Sequence, residues 1–242
     1  MIATLSLATA LAIQQDPGAG IVSDALARYY TRTSAHGTIL LTASVGKTKA
    51  QIETKLSFIE PNLFAVEQRA VGENAPPVIA ISDGTSFVYP EPMAAQEEGA
   101  KYVRESVQTR TGPMTIHDMY LITSKFLVDR SSAMDIIFGR RVDLEFVTKL
   151  YRKFKSAGTV VIDGETVRVV NCEARRDPSS EFKGLAAFYV NYTNDLRRVV
   201  YVERIGERGN SLDATYTRDI NVEMNAPDKI PAGTFSLKRI PK

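Results

Sequence analysis

The stretch IAISDGTSFVY at Ile79–Tyr89 decides the fold class, because it contains two apolar runs joined by a turn signal. Asp83-Gly84 stands between runs that are rich in β-branched and aromatic residues. A type I′ turn needs a positive φ at both central residues, and Asp-Gly is one of the favoured pairs for that turn. The stretch therefore predicts an antiparallel β-hairpin.

The same pattern of apolar runs and turn residues recurs along the chain. Asp163-Gly164 separates Gly158–Ile162 from Thr166–Val170 and predicts a second hairpin, and Thr193–Asp195 marks a third turn. Further strands are predicted at 38–45, 49–60, 64–70, 78–82, 86–89, 186–191, 198–204 and 212–224. Because consecutive hairpins pair neighbours in sequence, we expect a meander in one continuous sheet.

Two regions have helical periodicity instead. Ile21–Tyr30 predicts a short helix with Ser23 or Asp24 at its start. Residues 114–141 carry apolar side chains at helical spacing, and Asp129–Ser132 is expected to separate two short helices. This insertion is either an ordinary pair of covering helices or, because it contains three methionines, an adaptable apolar contact surface.

The composition is that of a globular protein. Of the 242 residues, 44% are hydrophobic and 24% are charged, close to the averages for soluble domains. The net charge is only +2, and the basic residues occur as isolated pairs rather than in a run, so no nucleic-acid partner is expected. A single β domain of this length is common.

The first residues predict export. Ile2–Ile13 is an uncharged apolar run that contains the small-x-small sequence Ala10-Leu11-Ala12, as signal peptides do, although no Lys or Arg precedes Arg28. We expect a signal peptide at 1–12 and a single mature domain at 13–242, located in the periplasm or elsewhere in the cell envelope. The alternative for the run is a short buried helix. No stretch is long enough to span a bilayer as a helix, so an integral membrane protein is not expected.

Sequence motifs for catalysis are absent: there is no HExxH, GxSxG, Gly-rich phosphate loop or CxxC. Cys172 is the only cysteine and is interpreted as a small buried residue. Of the two histidines, His36 is interpreted as a loop residue, and His117 as part of a helix start where Asp118 favours the positive end of the dipole. We therefore predict no catalytic residue, no metal and no cofactor.

Three segments together carry a resemblance to a known family: Phe58–Glu67, Ile79–Tyr89, and 221–225 with 230–237. They resemble the strand–turn–strand, the DG hairpin and the closing segment of the LolA and LolB type of outer-membrane lipoprotein carriers and lipoprotein-sorting proteins. The resemblance implies a mainly β (α+β) fold, a curved, incomplete antiparallel β-barrel with an N-terminal helix and a helical lid insertion at about 114–141. In the carriers, the concave face shelters the acyl chains of a lipoprotein.

The chain also departs from this family. Ala65 and Val66 follow Phe64 where the carriers often place Arg, and Trp is absent. Half-barrels leave room for a ligand between sheet and helices, and period-2 alternation puts alternate strand residues on one face. Taking the more apolar face of each strand and the apolar positions of the helices, we predict a ligand cavity lined by Phe64, Val66, Phe87, Tyr89, Met119, Phe126 and Phe138.

The sequence thus favours a non-enzymatic exported binding protein, a carrier or chaperone for lipoproteins or other apolar, acylated cargo. Its partners would be an acylated protein or a lipid-like ligand, together with membrane-associated proteins. The alternative is an envelope sensor or regulatory module of the same fold, whose interior is filled by side chains and which binds a protein partner at a strand edge. An uncharacterised hydrolase is a third hypothesis.

Overall fold

The computed structural model describes residues 17–91, 101–130, 132–140, 150–175, 183–207 and 210–241. The predicted signal peptide at 1–12 lies outside these residues. None of the helices in the described ranges combines the length and the apolar character needed to cross a membrane.

The described residues form thirteen strands, three α-helices and two short 3-10 helices at Pro227–Lys229 and Leu237–Arg239. The α-helices are α1 (Pro17–Tyr30), α2 (Ile116–Thr123) and α3 (Ser132–Phe138). The strands of the first half are β1 (Ser34–Val45), β2 (Thr48–Ile59), β3 (Leu63–Ala70), β4 (Val78–Asp83), β5 (Ser86–Pro90), β6 (Tyr102–Ser106), β7 (Gln108–Thr109) and β8 (Gly112–Pro113). Those of the second half are β9 (Tyr151–Ile162), β10 (Glu165–Arg175), β11 (Lys183–Asn191), β12 (Leu196–Glu207) and β13 (Asn210–Met224).

Eleven of the strands form one antiparallel sheet in the order β6-β5-β4-β3-β2-β1-β13-β12-β11-β10-β9. The sheet therefore consists of two meanders, β1–β6 and β9–β13, which meet where β1 pairs with β13. We call this pairing the seam. Because β6 and β9 do not pair with each other, the sheet stays unclosed, and the predicted fold class is confirmed.

The predicted hairpins form, but by two different turns. At Asp163-Gly164 both φ angles are positive, 49° and 81°, and Ile162 pairs with Glu165, as a two-residue type I′ turn requires. Gly84 also has a positive φ of 88°, whereas Asp83 does not, so the predicted type I′ turn is wrong there. The last paired residues are Ser82 and Phe87, and the Asp83 carboxylate closes the longer loop by accepting hydrogen bonds from the backbone N–H groups of residues 85 and 86.

Helix starts follow from local chemistry. Helix α1 begins at Pro17, a residue suited to the first helical turn, so Ser23 and Asp24 lie inside the helix rather than at its start as predicted. Helix α2 begins with a capping box, in which Thr115 and Asp118 satisfy each other's backbone N–H groups. Burial opposes ionisation of Asp118, but the hydrogen bonds from Thr115 outweigh it and lower the pKa of this carboxyl group.

The core lies between one face of the sheet and the three helices; we call this face the inner face. Strand register puts Phe58 opposite Phe64 and Ile39 opposite Ile220, and all four side chains are buried there. The opposite, outer face carries a smaller cluster, in which Phe235, Leu237 and Ile240 of the C-terminal segment pack on Ala65, Ile79 and Ile81.

Two strand predictions need correction. His36 is not a loop residue, because it lies in β1, where it pairs with Ser57 of β2 and Glu223 of β13. Strand β9 begins at Tyr151 rather than near Gly158. Its residues 155–161 are exposed and therefore lack the alternation that marks a half-buried strand.

Candidate functional site

The seven residues predicted to line a cavity lie together in the core. Phe64 and Val66 of β3 and Phe87 and Tyr89 of β5 all belong to the cluster under the helices. From the helical side, Met119 of α2 and Phe138 of α3 are fully buried in the same cluster, and the partly buried Phe126 packs against it. The structure thus brings the predicted residues together on the inner face; their role in ligand binding stays a prediction.

The aromatic members of this set touch one another. The Phe64 ring is 6.0 Å from that of Phe87 and 5.5 Å from that of Phe138, measured between centroids. The Tyr89 ring bridges Phe87, at 5.0 Å, and Phe126, at 6.1 Å. In this conformation the side chains of the sheet and of the helical insertion therefore fill the space between them with direct contacts.

Two buried tyrosines give this apolar layer polar edges. The Tyr89 hydroxyl donates to the Glu105 carboxylate at 2.7 Å, and the Tyr120 hydroxyl donates to Asp135 at 2.7 Å. Burial, together with the hydrogen bond to Glu105, raises the pKa of Tyr89 to about 12, and burial beside Asp135 raises the pKa of Tyr120 as well. Both side chains are therefore neutral donors at physiological pH.

The loop between α2 and α3 is attached to the sheet by polar contacts that we call the lid latch, formed by Gln68, Asp129 and Arg218. Gln68 follows Phe64 and Val66 on the inner face of β3, and its amide oxygen accepts hydrogen bonds from the backbone N–H groups of Val128, at 2.7 Å, and Asp129, at 3.1 Å. Its amide nitrogen donates to the Asp129 carbonyl oxygen at 3.3 Å. One side chain thus binds two consecutive residues of the loop.

The second half of the lid latch is an ion pair. Arg218 of β13 donates from Nη2 to Asp129 Oδ1 at 2.8 Å and from Nε at 3.1 Å. The Asp129 side chain is only 1% exposed and that of Arg218 is 14% exposed. A buried pair of this kind adds little net stability, because desolvation offsets the attraction, but it fixes geometry. The loop is thereby held to both meanders, to β3 through Gln68 and to β13 through Arg218.

Sequence reasoning missed the lid latch. It interpreted Asp129 only as part of a break between helices. A signal was nevertheless present, because Gln68 continues the alternation of Phe64 and Val66 and so places a polar side chain at a core position, where a hydrogen-bond partner is required.

A surface cavity of about 350 Å³ lies where the end of α1, the start of α2 and the end of α3 approach one another. Arg32, His117 and Arg140 are among its lining residues, and Phe138 also contributes to its wall. Since the Phe138 ring also touches those of Phe58, Phe64 and Tyr120, a single side chain separates this cavity from the aromatic layer.

The described residues offer little for catalysis. Within the described ranges, no group of three or more His, Cys, Asp or Glu side chains is placed to hold a metal ion. Cys172 is buried, and burial raises the pKa of its thiol to about 12, so its reactive thiolate form is suppressed at neutral pH.

No protein-family model matches the sequence, and no curated protein matches it either. Solved structures do align with the chain, at low identity. Lipoprotein LppX of Mycobacterium tuberculosis is 12% identical over 83% of this chain and 93% of its own, with a TM-score of 0.40. A LolA superfamily protein of Nitrosomonas europaea is 11% identical over 92% and 99%, with a TM-score of 0.33.

The MucA/MucB complex of Pseudomonas aeruginosa also aligns, with 11% identity over 90% of this chain and 61% of the other and a TM-score of 0.40. The LolA superfamily is the family whose motifs the sequence resembles. At TM-scores below 0.5, these likenesses decide neither the cargo nor the partner of this chain.

Proposed function

We propose that this protein is a non-enzymatic, exported binding protein of the cell envelope that shelters apolar, acylated cargo between the inner face of the sheet and helices α2 and α3. One observation carries the proposal: an aromatic and methionine-rich layer lies under a helical cover whose connecting loop is held by the polar lid latch. The loop of this cover is fixed by a few specific polar contacts, whereas α2 and α3 are held by buried apolar side chains whose contacts an acyl chain would have to replace.

The buried methionines of the cover could exchange their contacts with the sheet for contacts with an acyl chain. Met119 and Met134 are both fully buried, and methionine is an unbranched, flexible side chain that adapts to differently shaped apolar partners. An acyl chain would replace the contacts that these side chains now make with the sheet. The surface cavity beside Phe138 provides a place where such a chain could begin to insert.

Acyl burial supplies the favourable free energy of binding. Burial of an acyl chain contributes about 0.8 kcal/mol per methylene, so a dozen methylenes supply roughly 10 kcal/mol before ordering costs. Against this stand the loss of the contacts of Gln68, Asp129 and Arg218 and the exposure of any apolar side chains of α2 and α3 that the acyl chain does not cover. When the loop lifts, both charges of the ion pair gain water, so neither is left buried without its partner, which is the costly case.

Titration with a fluorescent fatty acid tests the proposal. The wild-type protein should bind the probe saturably, and Met119→Glu or Phe87→Asp should abolish binding, because a buried unpaired charge is very costly in an apolar site. Leu121→Glu is the matched control for Met119→Glu, since Leu121 lies on the same helix but is 42% exposed. Circular dichroism must show that each variant is folded.

The proposed function would be contradicted if neither the wild-type protein nor the Asp129→Ala variant, which lacks the ion pair of the lid latch, binds an acyl probe. Equal loss of binding in Leu121→Glu and Met119→Glu would show that the probe does not lie beneath α2. Export is tested separately, because N-terminal sequencing of the protein from its native cell should find a mature start near Ile13.

A second candidate function, a sensor that binds a protein partner, is favoured by strand β9. This strand lies at one edge of the sheet, and its residues 155–161 are exposed. Val161 among them is 67% exposed. Exposed edge strands present N–H and C=O groups to which a partner strand can add. Mass spectrometry of material that co-purifies from the native envelope separates the two candidates: acylated peptides support the carrier, and a stoichiometric protein lost on Val161→Lys supports the sensor.

A further inference from the structure

A second cavity, of about 400 Å³, lies on the outer face of the sheet, away from the helices and the proposed acyl site. Its floor is formed by β1, β2 and β3, and residues 232–239 of the C-terminal segment close one side. That segment is held in place by the outer-face cluster around Phe235 and Leu237. We call it the outer cavity; its polar lining side chains include His36, Thr38, Lys55, Ser57, Glu67 and Arg239.

Strand register explains why these side chains meet. His36 pairs with Ser57, and Thr38 pairs with Lys55, which in turn pairs with Glu67 of β3. Because residues directly opposite in a sheet share a face, the five side chains form one polar patch on the outer face. The floor of the outer cavity is therefore formed by regular β-structure.

Most charged groups around the outer cavity are held in close ion pairs. Three carboxylates each have a close basic partner: Glu53 with Arg69 at 2.6 Å, Glu67 with Arg239 at 2.7 Å, and Glu223 with Lys229 at 2.7 Å. The ammonium group of Lys55 lies 3.8 Å from the Glu53 carboxylate, which is already engaged by Arg69. Lys55 therefore has a longer carboxylate contact than these three paired cations.

The neighbouring histidine is held by a buried hydroxyl group. Ser57 is 4% exposed; its Oγ donates to the Leu56 carbonyl oxygen at 2.8 Å and lies 2.8 Å from His36 Nδ1. This contact holds the imidazole ring of His36 against the wall of the outer cavity.

We infer that the outer cavity binds a small anion, a carboxylate or phosphate group held by the Lys55 ammonium group beside the Thr38 hydroxyl and the His36 imidazole. A monoanion would give Lys55 a closer counter-charge than the Glu53 carboxylate, which Arg69 engages. The other two charged groups in the described lining of the outer cavity, Glu67 and Arg239, pair with each other.

Nuclear magnetic resonance provides the test, since the chain has only two histidines. Titration with sodium acetate or inorganic phosphate should shift the His36 ring signals saturably and leave those of His117, which lies under the other face, unmoved. Lys55→Gln should raise the dissociation constant about tenfold or more, the loss expected for a charge-assisted hydrogen bond. Lys49→Gln is the matched control, because Lys49 is exposed on the same strand and is not part of the cavity wall.

Flotation with phosphatidylglycerol vesicles identifies the source of the anion: flotation that requires Lys55 points to a lipid head group, and acetate or phosphate binding without flotation points to a soluble ligand.

Two results would overturn the inference. One is that neither acetate nor phosphate moves the His36 signals. The other is that Lys49→Gln weakens binding as much as Lys55→Gln does, which would mean that the anions respond to surface charge in general. Neither result bears on the acyl-probe titration, so this inference and the proposed function fail separately.

Discussion

Replacing Gly37 by alanine is expected to weaken the seam at which the two meanders meet. Gly37 lies in β1 opposite Val222 of β13, and an ideal Cβ at this position would collide with the Asn221 carbonyl oxygen and lie 2.6 Å from the Val222 Cα. All of the nearest obstacles are backbone atoms. They cannot turn away as a flexible side chain could, so the two strands themselves must separate.

The required separation gives the magnitude. Ordinary contact of a Cβ with its neighbours begins at 3.4 Å, so clearing the Val222 Cα requires β1 and β13 to move apart by about 0.8 Å near Gly37, and clearing the nearer Asn221 carbonyl oxygen requires more. Such a shift weakens about two adjacent ladder hydrogen bonds, each contributing about 1 kcal/mol net, and adds overpacking strain of about 1–3 kcal/mol. We expect Gly37→Ala to lower the free energy of unfolding by about 3 kcal/mol, a large part of the 5–15 kcal/mol typical of a folded domain.

Urea denaturation, monitored by circular dichroism, measures the change in unfolding free energy. A second glycine provides a control in which the expected change has the opposite sign. Gly20 is exposed in α1, and a Cβ there would meet nothing within 4 Å, so Gly20→Ala should raise the unfolding free energy by up to about 1 kcal/mol through helix propensity. An unchanged midpoint for Gly37→Ala would refute the close approach of β1 and β13 at the seam.

Two further predictions follow from local geometry and burial. Gly164→Val should lower the denaturation midpoint by an amount equivalent to about 1 kcal/mol or more, because φ is 81° there and a β-branched residue is strained at such an angle; an equal midpoint would show that this turn adapts. Cys172 should react with a thiol reagent at pH 8 only after unfolding, because burial raises the pKa of its thiol to about 12; reaction of the folded protein at the rate of free cysteine would contradict this packing.

The sequence was sufficient where structure depends on near neighbours. The turn at Asp163-Gly164 is fixed by two residues that both accept a positive φ, and it forms as predicted. The same dipeptide at Asp83-Gly84 behaves differently, because the Asp83 side chain is itself a hydrogen-bond acceptor for the residues that follow. Choosing between these two outcomes requires knowing which strand residues pair, and the dipeptide alone does not contain that information.

What the sequence could not supply is long-range. Nothing near His36 indicates that β1 will start before it and pair both with β2 and with β13, about 190 residues away, and these two pairings place His36 in a strand. The lid latch likewise joins Gln68, Asp129 and Arg218 from three distant segments. The sequence also predicts too late a start for β9. Bulges at Lys153 and Gly158, where φ is 55° and 90°, interrupt its pairing register and its alternation of apolar and polar side chains.

The location of a bound acyl chain is the most direct test of the proposed function. Methyl signals of ¹³C-methionine-labelled protein can be followed during titration with a saturated fatty acid, with Met119→Leu and Met134→Leu as assignment variants. If the acyl chain binds between the sheet and helices α2 and α3, the methyl signals of the buried Met119 and Met134 should shift saturably and show contacts to the acyl protons. If neither signal changes at saturating fatty acid, in the wild type or in the Asp129→Ala variant that lacks the ion pair of the lid latch, no acyl chain binds beneath the helices and the proposed function is contradicted.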